Sequence, residues 1–288
     1  MSTVSIDHCL GIQNKLINDI VNLPLNLYYE GEDLLMLTEK RQQIIYGLFR
    51  PRTNRLIVQK AREIGITSFM AAVAAFVLLK GWKFNYFCKS AAMAKEFGSK
   101  VIELMVRLGD SRFTKSQIQK LWKEGLTCFT RFDQTNGISF DSITINFVDE
   151  AAFIDDALMF HLAGILPYDQ TLIASTPTNN NTAFYRMCTT TRKQETGWLF
   201  WKKVKYVPIN EVIHLTWEDC PWLWKDNLIF RKDDAELLST GKEFPTEEFD
   251  SLKKLGWKPS CKMVDNYMSA SLSIVSETNE MKGEFYPD

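Results

Sequence analysis

The chain has 288 residues, of which 45% are hydrophobic and 12% are aromatic, which is enough to build the core of one large domain. Its 34 basic and 35 acidic side chains give a net charge of −1, so any nucleic-acid contact must come from a local patch. The 6 cysteines form no CxxC pair and the 3 histidines are far apart, which argues against a zinc site. Free thiols in a reduced, intracellular protein are expected instead.

Hydrophobic periodicity predicts helices and strands in alternation. The predicted helices cover residues 7–21, 38–49, 66–79, 90–108, 111–123 and 155–162. The predicted strands cover residues 55–60, 82–88, 143–148 and 171–177. Residues 126–132 and 138–140 are interpreted as an antiparallel pair around an Asn-Gly turn. Strands alternating with helices predict an α/β fold with a mainly parallel central sheet flanked by helices.

The pattern changes along the chain and suggests four parts. Residues 1–36 are predicted as an N-terminal helical segment and residues 37–195 as the α/β core. Residues 196–268 are predicted as a small helical or mixed subdomain, with helices over 221–255 broken at glycine and proline. The polar tail, residues 269–288, is expected to be loosely held. The most apolar segment, residues 68–79, is too short to cross a bilayer and no signal peptide opens the chain, so a soluble protein is expected.

Two adjacent acids end the apolar run at residues 143–148. Asp149 and Glu150 thus stand at the carboxyl end of a predicted buried strand, where an open parallel sheet binds its ligand. Carboxylates in this position can hold Mg²⁺ and orient a water for nucleotide hydrolysis, which predicts Asp149 as the magnesium ligand and Glu150 as the catalytic residue. Acids also occur at helix N-termini for electrostatic reasons alone, and that interpretation stays open.

A candidate phosphate-binding loop lies upstream, between a predicted strand and a predicted helix. It departs from the GxxxxGK[ST] pattern because Ile66 stands in the lysine position, whereas Lys60 stands at the front of the loop and can fold back over the turn. Thr67 is the predicted magnesium-binding hydroxyl. The predicted nucleotide-binding residues of this loop are Lys60, Arg62, Gly65, Ile66, Thr67 and Ser68. The alternative is an ordinary strand–turn–helix junction with surface charges.

A third polar strand end is formed by Ser175 and Thr176, after the apolar residues 171–174. Hydroxyls in this position can contact a γ-phosphate and respond to its loss. The alternative is a polar strand terminus closed by Pro177.

Together these elements resemble the ATPase domain of the large terminase subunit of tailed bacteriophages, the motor that packages DNA into the procapsid. Residues 60–68 resemble the deviant Walker A motif of that family, residues 147–153 its Walker B motif with the trailing Ala-Ala-Phe, and residues 174–178 its coupling motif. The similarity covers residues 37–185 and continues more weakly to about residue 255. The implied fold is an ASCE-type P-loop NTPase, and the implied cofactors are ATP and Mg²⁺.

The resemblance also implies roles for single residues. Ser175 and Thr176 would couple hydrolysis to movement, and Gln42 or Gln43 would recognise adenine. Arg131 is the candidate arginine finger that acts in a neighbouring subunit. The nuclease domain typical of the family has no room in this chain, so no DNA cleavage is expected.

The implied partners are sequence-independent double-stranded DNA, the portal protein, the small terminase subunit and a separate nuclease subunit or domain. A homo-oligomeric ring, a pentamer on the procapsid and a monomer in solution, is implied, in the cytoplasm of the infected bacterial host. An aromatic and basic segment at residues 198–206 contains the candidate DNA contacts Lys202, Lys203 and Lys205, although an amphipathic strand with a solvated face is the more common reason for such a pattern. The alternative functions are another helicase-like, DNA-dependent ATPase and a non-catalytic nucleotide-binding scaffold.

Overall fold

The structure is a computed structural model. It describes residues 38–49, 55–79, 82–107, 126–129, 144–166, 170–178, 180–196, 203–224, 228–233, 235–239, 246–262, 264–266 and 282–283. The sequence predictions for the helices at 7–21 and 111–123, the strand at 138–140, Arg131 and Lys202 lie outside these residues.

Helices and strands mostly alternate up to residue 189, and strands predominate after it. In order they are α1 (Thr38–Phe49), β1 (Leu56–Lys60), α2 (Ile66–Leu79), β2 (Lys83–Phe87), α3 (Ala91–Arg107), β3 (Leu126–Phe129), β4 (Thr144–Asp149), α4 (Asp156–Ile165), β5 (Thr171–Ser175), α5 (Ala183–Thr189), β6 (Thr191–Thr196), β7 (Lys203–Pro208), β8 (Glu211–Leu215), α6 (Pro221–Trp224), β9 (Leu228–Lys232), β10 (Ala235–Ser239), α7 (Thr246–Lys254) and β11 (Lys258–Ser260). Short 3₁₀ helices cover Ala151–Phe153 and Trp217–Asp219.

A six-stranded sheet forms the centre of the fold, in the order β3-β2-β4-β5-β1-β8. Each neighbouring pair in it is parallel. Strand β5 lies between β1, which leads into the candidate phosphate loop, and β4, which ends at the paired acids. An additional strand in this place is what defines the ASCE group, so the predicted fold class is confirmed.

Both faces of this sheet are covered, which explains why its central strands are rich in apolar residues. Leu56 and Val58 pack in one core cluster with the buried residues of α2 and α3. Ile57, which points to the opposite face, packs in a second cluster with α4 and α5. Helix α2 is apolar on nearly every side because it also packs against α3.

Strands β3 and β8 lie at the two edges of the central sheet. Strand β3 lies within the predicted strand at 126–132 and pairs in parallel with β2. Its predicted antiparallel partner at 138–140 lies outside the described residues, so that pairing stays a prediction. Strand β8 pairs with β1, so the central sheet includes residues 211–215 and extends past the predicted core boundary at residue 195.

The C-terminal part is a mixed structure. A three-stranded antiparallel sheet, in the order β10-β9-β11, packs with α7 around Trp224, Phe230 and Phe249. The prediction of helices over residues 221–255, broken at Gly241 and Pro245, is confirmed for α6 and α7 and is wrong for β9 and β10 between them. Strands β6 and β7 form a separate two-stranded antiparallel hairpin.

In the described part of the chain, Cys88, Cys188, Cys220 and Cys261 form no disulfide bond. Burial raises the pKa of Cys88 to about 11 and that of Cys188 to about 12, so both thiols stay protonated at neutral pH. None of the described helices combines the length and the apolar character that crossing a membrane requires.

Candidate functional site

The carboxyl ends of β1, β5 and β4 meet at one edge of the central sheet. The strand register aligns Gln59 with Ser175, and Ala174 with Asp149. The residues that follow in each strand, Lys60, Thr176 and Glu150, therefore emerge side by side. The three polar strand ends identified in the sequence form a single cluster.

Lys60 connects the other two strand ends. Its Nζ atom lies 2.9 Å from Glu150 Oε1 and donates a 3.3 Å hydrogen bond to Thr176 Oγ1. The lysine side chain is only 4% exposed and that of Glu150 is 20% exposed, so the ion pair is shielded from water on one side and open on the other. A lysine in this position can exchange its carboxylate partner for a phosphate without leaving the site.

Asp149 is completely buried beside this pair, with 0% exposure. Its Oδ2 atom accepts hydrogen bonds from the Thr67 hydroxyl at 2.7 Å and the Tyr86 hydroxyl at 2.8 Å, and its Oδ1 accepts from the Glu150 backbone N–H at 3.0 Å. Burial raises the pKa of Asp149, against the opposing effects of Lys60 and the two hydroxyls. A buried carboxylate next to a hydroxyl oxygen suits Mg²⁺, which prefers hard oxygen ligands and would compensate the cost of burial.

The loop between β1 and α2 has the backbone of a tight turn. Glu63 and Gly65 both have positive φ angles, 59° and 78°, and α2 begins at Ile66. The first turn of an α-helix leaves backbone N–H groups without intrahelical partners, and these groups with the helix dipole favour an anion. Arg62 is exposed and Ser68 is half-buried on this loop and helix start.

Ile66 contributes to this site through its backbone alone. Its side chain is 2% exposed and packs in the core cluster under the loop. The apolar residue in the usual lysine position is therefore explained by packing, and the lysine that enters the site, Lys60, comes from the strand instead.

The side chains of Glu150 and Ser175 lie close together at the sheet edge, and local contacts fix the position of both. Glu150 has a left-handed backbone, φ 52° and ψ 45°, which is rare for a residue other than glycine and costs on the order of 1 kcal/mol. The Ser175 hydroxyl accepts a hydrogen bond from Ala152 N–H at 3.0 Å and lies 3.5 Å from Glu150 Oε2. The strained turn directs Glu150 back over the sheet edge towards Lys60.

Tyr86 is a site residue that the sequence analysis missed. It lies within the apolar strand β2, stacks on Phe97 with ring centroids 3.7 Å apart, and holds Asp149 through its hydroxyl. A tyrosine inside a strand is typical of core packing. Only the pairing of β2 with β4 could have indicated that Tyr86 contacts Asp149.

The described contacts of the cluster at the sheet edge do not include the other predicted residues below. Gln42 is half-buried and Gln43 is exposed on α1. That one of them recognises adenine stays a prediction. Lys203 and Lys205 are exposed on β7.

No family model and no curated protein matches the chain. Among solved structures, the chain is similar to the large terminase ATPase domain of Thermus phage P74-26. An arginine-to-alanine mutant of that domain matches with a TM-score of 0.49 at 14% sequence identity, covering 85% of this chain and 93% of that chain. A second structure of the domain gives a TM-score of 0.45 at 14% identity, covering 83% and 91%. The assignment of the fold itself rests on the strand order and register described above.

Proposed function

We propose that this protein binds ATP with Mg²⁺ and hydrolyses it as the motor domain that drives viral double-stranded DNA into a procapsid. The observation that carries the proposal is the contact of Lys60 with Glu150 and Thr176 at the sheet edge, beside the hydrogen bond from Thr67 to Asp149. A basic group, two acids and two hydroxyls from four separate elements are the parts that phosphoryl transfer to water requires.

Each side chain has a role in this proposal that follows from its position. The N-terminus of α2 and Lys60 bind the β- and γ-phosphates through N–H groups and positive charge. Thr67 and Asp149 would hold a magnesium ion, which supplies neutralisation of the phosphate charge when bound. Glu150 orients the attacking water and accepts its proton.

The Lys60–Glu150 ion pair gives this site a built-in order of events. While Lys60 is paired with Glu150, the carboxylate is engaged and a water bound there is poorly activated. An incoming γ-phosphate competes for the ammonium group and releases Glu150 towards the water. Catalytic readiness thus follows substrate binding, since the same lysine serves both states.

Ser175 and Thr176 are suited to pass this change to the rest of the molecule. They contact Glu150 and Lys60 at the end of β5, and the chain continues from them through α5 into the β6–β7 hairpin. Loss of the γ-phosphate alters the charge that Thr176 faces through Lys60. In this proposal the hairpin is the exposed element that such a change would move.

The hairpin also has the surface expected of a DNA contact. Cross-strand partners share a face, and the register places Arg192, Lys203 and Lys205 on one face together with Gln194 and Thr196. Every one of these side chains is exposed, and the face carries no acid. Three cations without base-reading geometry favour sequence-independent contact with phosphates, as a translocating motor needs.

The assembly context completes the proposal. The ATPase would act in the cytoplasm of an infected bacterial cell as a ring on the portal, a pentamer there and a monomer in solution. Its partners there would be the small terminase subunit and a separate nuclease. An arginine from a neighbouring subunit, with Arg131 as the candidate, would complete each site.

ATP turnover of Glu150→Gln and Lys60→Ala variants tests the proposal. We expect each to lower kcat by about 100-fold or more, because each removes a group that acts on charge developing at the phosphate. Glu103→Gln and Lys100→Ala are matched controls, since these residues form exposed ion pairs on α3. A wild type that binds ATP but shows no turnover, even with DNA present, would support the scaffold alternative instead.

A further inference from the structure

Gly283 is buried against the strand that leads into the phosphate-binding loop. Its carbonyl oxygen accepts a hydrogen bond from Gln59 Nε2 at 2.6 Å and lies 2.9 Å from His214 Nε2. Gln59 and His214 are register partners on β1 and β8, so the two side chains form a clamp on one carbonyl. The expectation of a loosely held tail is therefore wrong for this residue.

The contact requires glycine. Gly283 has a φ of 62°, a conformation that L side chains rarely adopt. A Cβ atom added there would lie 2.6 Å from both the Ala61 nitrogen and the Lys60 carbonyl carbon, and 2.9 Å from the Leu215 oxygen. These neighbours are backbone atoms, so no flexible side chain can move away to make room.

Gly283 contacts the sheet at the last hydrogen bond between β1 and β8, just before the loop begins. Ala61 N–H donates to Leu215 O at 2.8 Å, and Gly283 packs directly against both groups. The Lys60–Ala61 peptide is also the point at which the chain leaves β1 and the lysine side chain departs towards Glu150. A segment more than 200 residues away in sequence thus fixes the base of the loop.

We propose that Gly283 is a positioning residue for the phosphate-binding loop. By packing on the Lys60–Ala61 peptide, it holds the strand end in the orientation that presents Lys60 and the start of the loop to a triphosphate. The inference rests on the proposed ATP site, since it assigns Gly283 a part in forming that site. It also predicts a coupling, because a segment that stabilises the binding-competent loop must in turn be stabilised by the bound nucleotide.

A Gly283→Ala variant tests this role, with Gly164→Ala as the matched control. Gly164 is exposed on α4 and has nothing within 4 Å of an added Cβ, so alanine there is expected to leave nucleotide binding unchanged. For Gly283→Ala we expect the Kd of a fluorescent ATP analogue and the KM for ATP to rise about tenfold. The change in kcat should be smaller, because lost ground-state positioning acts mainly on KM.

A second variant avoids the steric clash. Gln59→Met keeps the volume of the side chain and removes the donor to the Gly283 carbonyl, and it should raise the Kd about threefold. Hydrogen exchange of the wild type should show slower exchange of the segment around Gly283 when the ATP analogue is bound.

The outcomes separate this inference from the proposed function. If the wild type binds the analogue and both variants bind it as tightly as the Gly164→Ala control, the positioning role is wrong. If the wild type binds no nucleotide, the proposed function fails. In that case, faster exchange of the loop amides after residue 60 in Gly283→Ala than in Gly164→Ala would still support the positioning of the loop. Equal exchange would overturn it.

Discussion

Asp149 combines two opposing demands at the scale of one residue. Its burial raises the pKa of the carboxyl and so disfavours the charged form that magnesium binding requires. The hydroxyls of Thr67 and Tyr86 both donate to one of its oxygens and favour the ionised state. In the proposed site, a bound cation would therefore have the Asp149 carboxylate as a strong ligand. Without a cation, the buried negative charge of Asp149 does not stabilise the protein.

Replacing Tyr86 by phenylalanine should shift this balance. The ring stack on Phe97 is kept, but Asp149 loses one donor, which raises its pKa further and moves the acidic limb of the pH–activity profile to higher pH. We expect a loss of about 1 kcal/mol in the free energy of unfolding and about tenfold in kcat at neutral pH. Steady-state ATPase rates across pH and urea unfolding measure both effects.

Tyr206→Phe is the control for this experiment, because Tyr206 is 66% exposed on the hairpin. An unchanged acidic limb in Tyr86→Phe, with turnover equal to that of the control, would show that the tyrosine hydroxyl does not act on Asp149.

The sequence predicted the residues of the site whose position follows from a general rule. Lys60, Thr67 and the two acids stand at strand ends or a helix start, and parallel strands bring such positions together. Tyr86 could not be predicted because an aromatic inside an apolar strand is usually core. Gly283 could not be predicted because its partners lie more than 200 residues away and its role depends on backbone contacts.

At the scale of elements, buried strands were easier to predict than half-exposed ones. Strands β1, β4 and β5 are covered on both faces and consist almost wholly of buried residues, most of them apolar. The hairpin of β9 and β10 was mistaken for helix because its tight connection contains no glycine. Asp233 adopts the positive φ there, at 52°, as aspartate tolerates better than most residues.

The small C-terminal sheet contains an ion pair whose contribution should depend on pH. Arg231 donates to both carboxylate oxygens of Asp265, at 2.9 and 3.1 Å, and these hydrogen bonds lower the pKa of Asp265. A lowered folded-state pKa means that the stabilisation is present above the ordinary aspartate value of about 4 and is lost as the pH falls through the folded value. The pair is partly exposed, so about 1 kcal/mol or less is expected.

An Asp265→Asn variant should therefore be less stable than the wild type at pH 7, and the difference should shrink as the pH falls below about 4. Hydrogen exchange in β9 and β11, which flank the pair, measures the effect locally. Asp250→Asn on the exposed face of α7 is the control. A stability difference that stays constant or grows on acidification would contradict the assignment.

At the scale of the whole molecule, the order of strands was beyond the sequence pattern. Apolar runs predict that strands exist, but not that β8 would close the sheet beside β1 from beyond the hairpin. That pairing depends on long-range burial. This pairing also means that the segment containing the hairpin leaves the central sheet after β5 and returns to it at β8, because α5 follows β5 and β7 leads into β8.

The proposed DNA contact of the hairpin can be tested because the molecule as a whole carries almost no net charge. With a net charge of −1, the protein has no overall attraction for DNA, so the proposed DNA affinity requires a local basic patch, for which the face of Arg192, Lys203 and Lys205 is the candidate. Three phosphate contacts predict a slope of about −2.7 in a plot of log K against log salt concentration. Replacing all three residues by glutamine should abolish most of the affinity and flatten that slope.

A triple glutamine variant of Lys95, Lys100 and Arg107 on α3 removes the same amount of positive charge from another surface. If binding depended on net charge, both triple variants would weaken it equally, because a distributed field does not depend on where the charges are removed. If the hairpin face contacts the phosphates, only the hairpin variant loses affinity and slope. Fluorescence anisotropy with duplex DNA at several salt concentrations distinguishes these results. Equal losses would mean that the hairpin is not the DNA-binding element, even where ATP hydrolysis is intact.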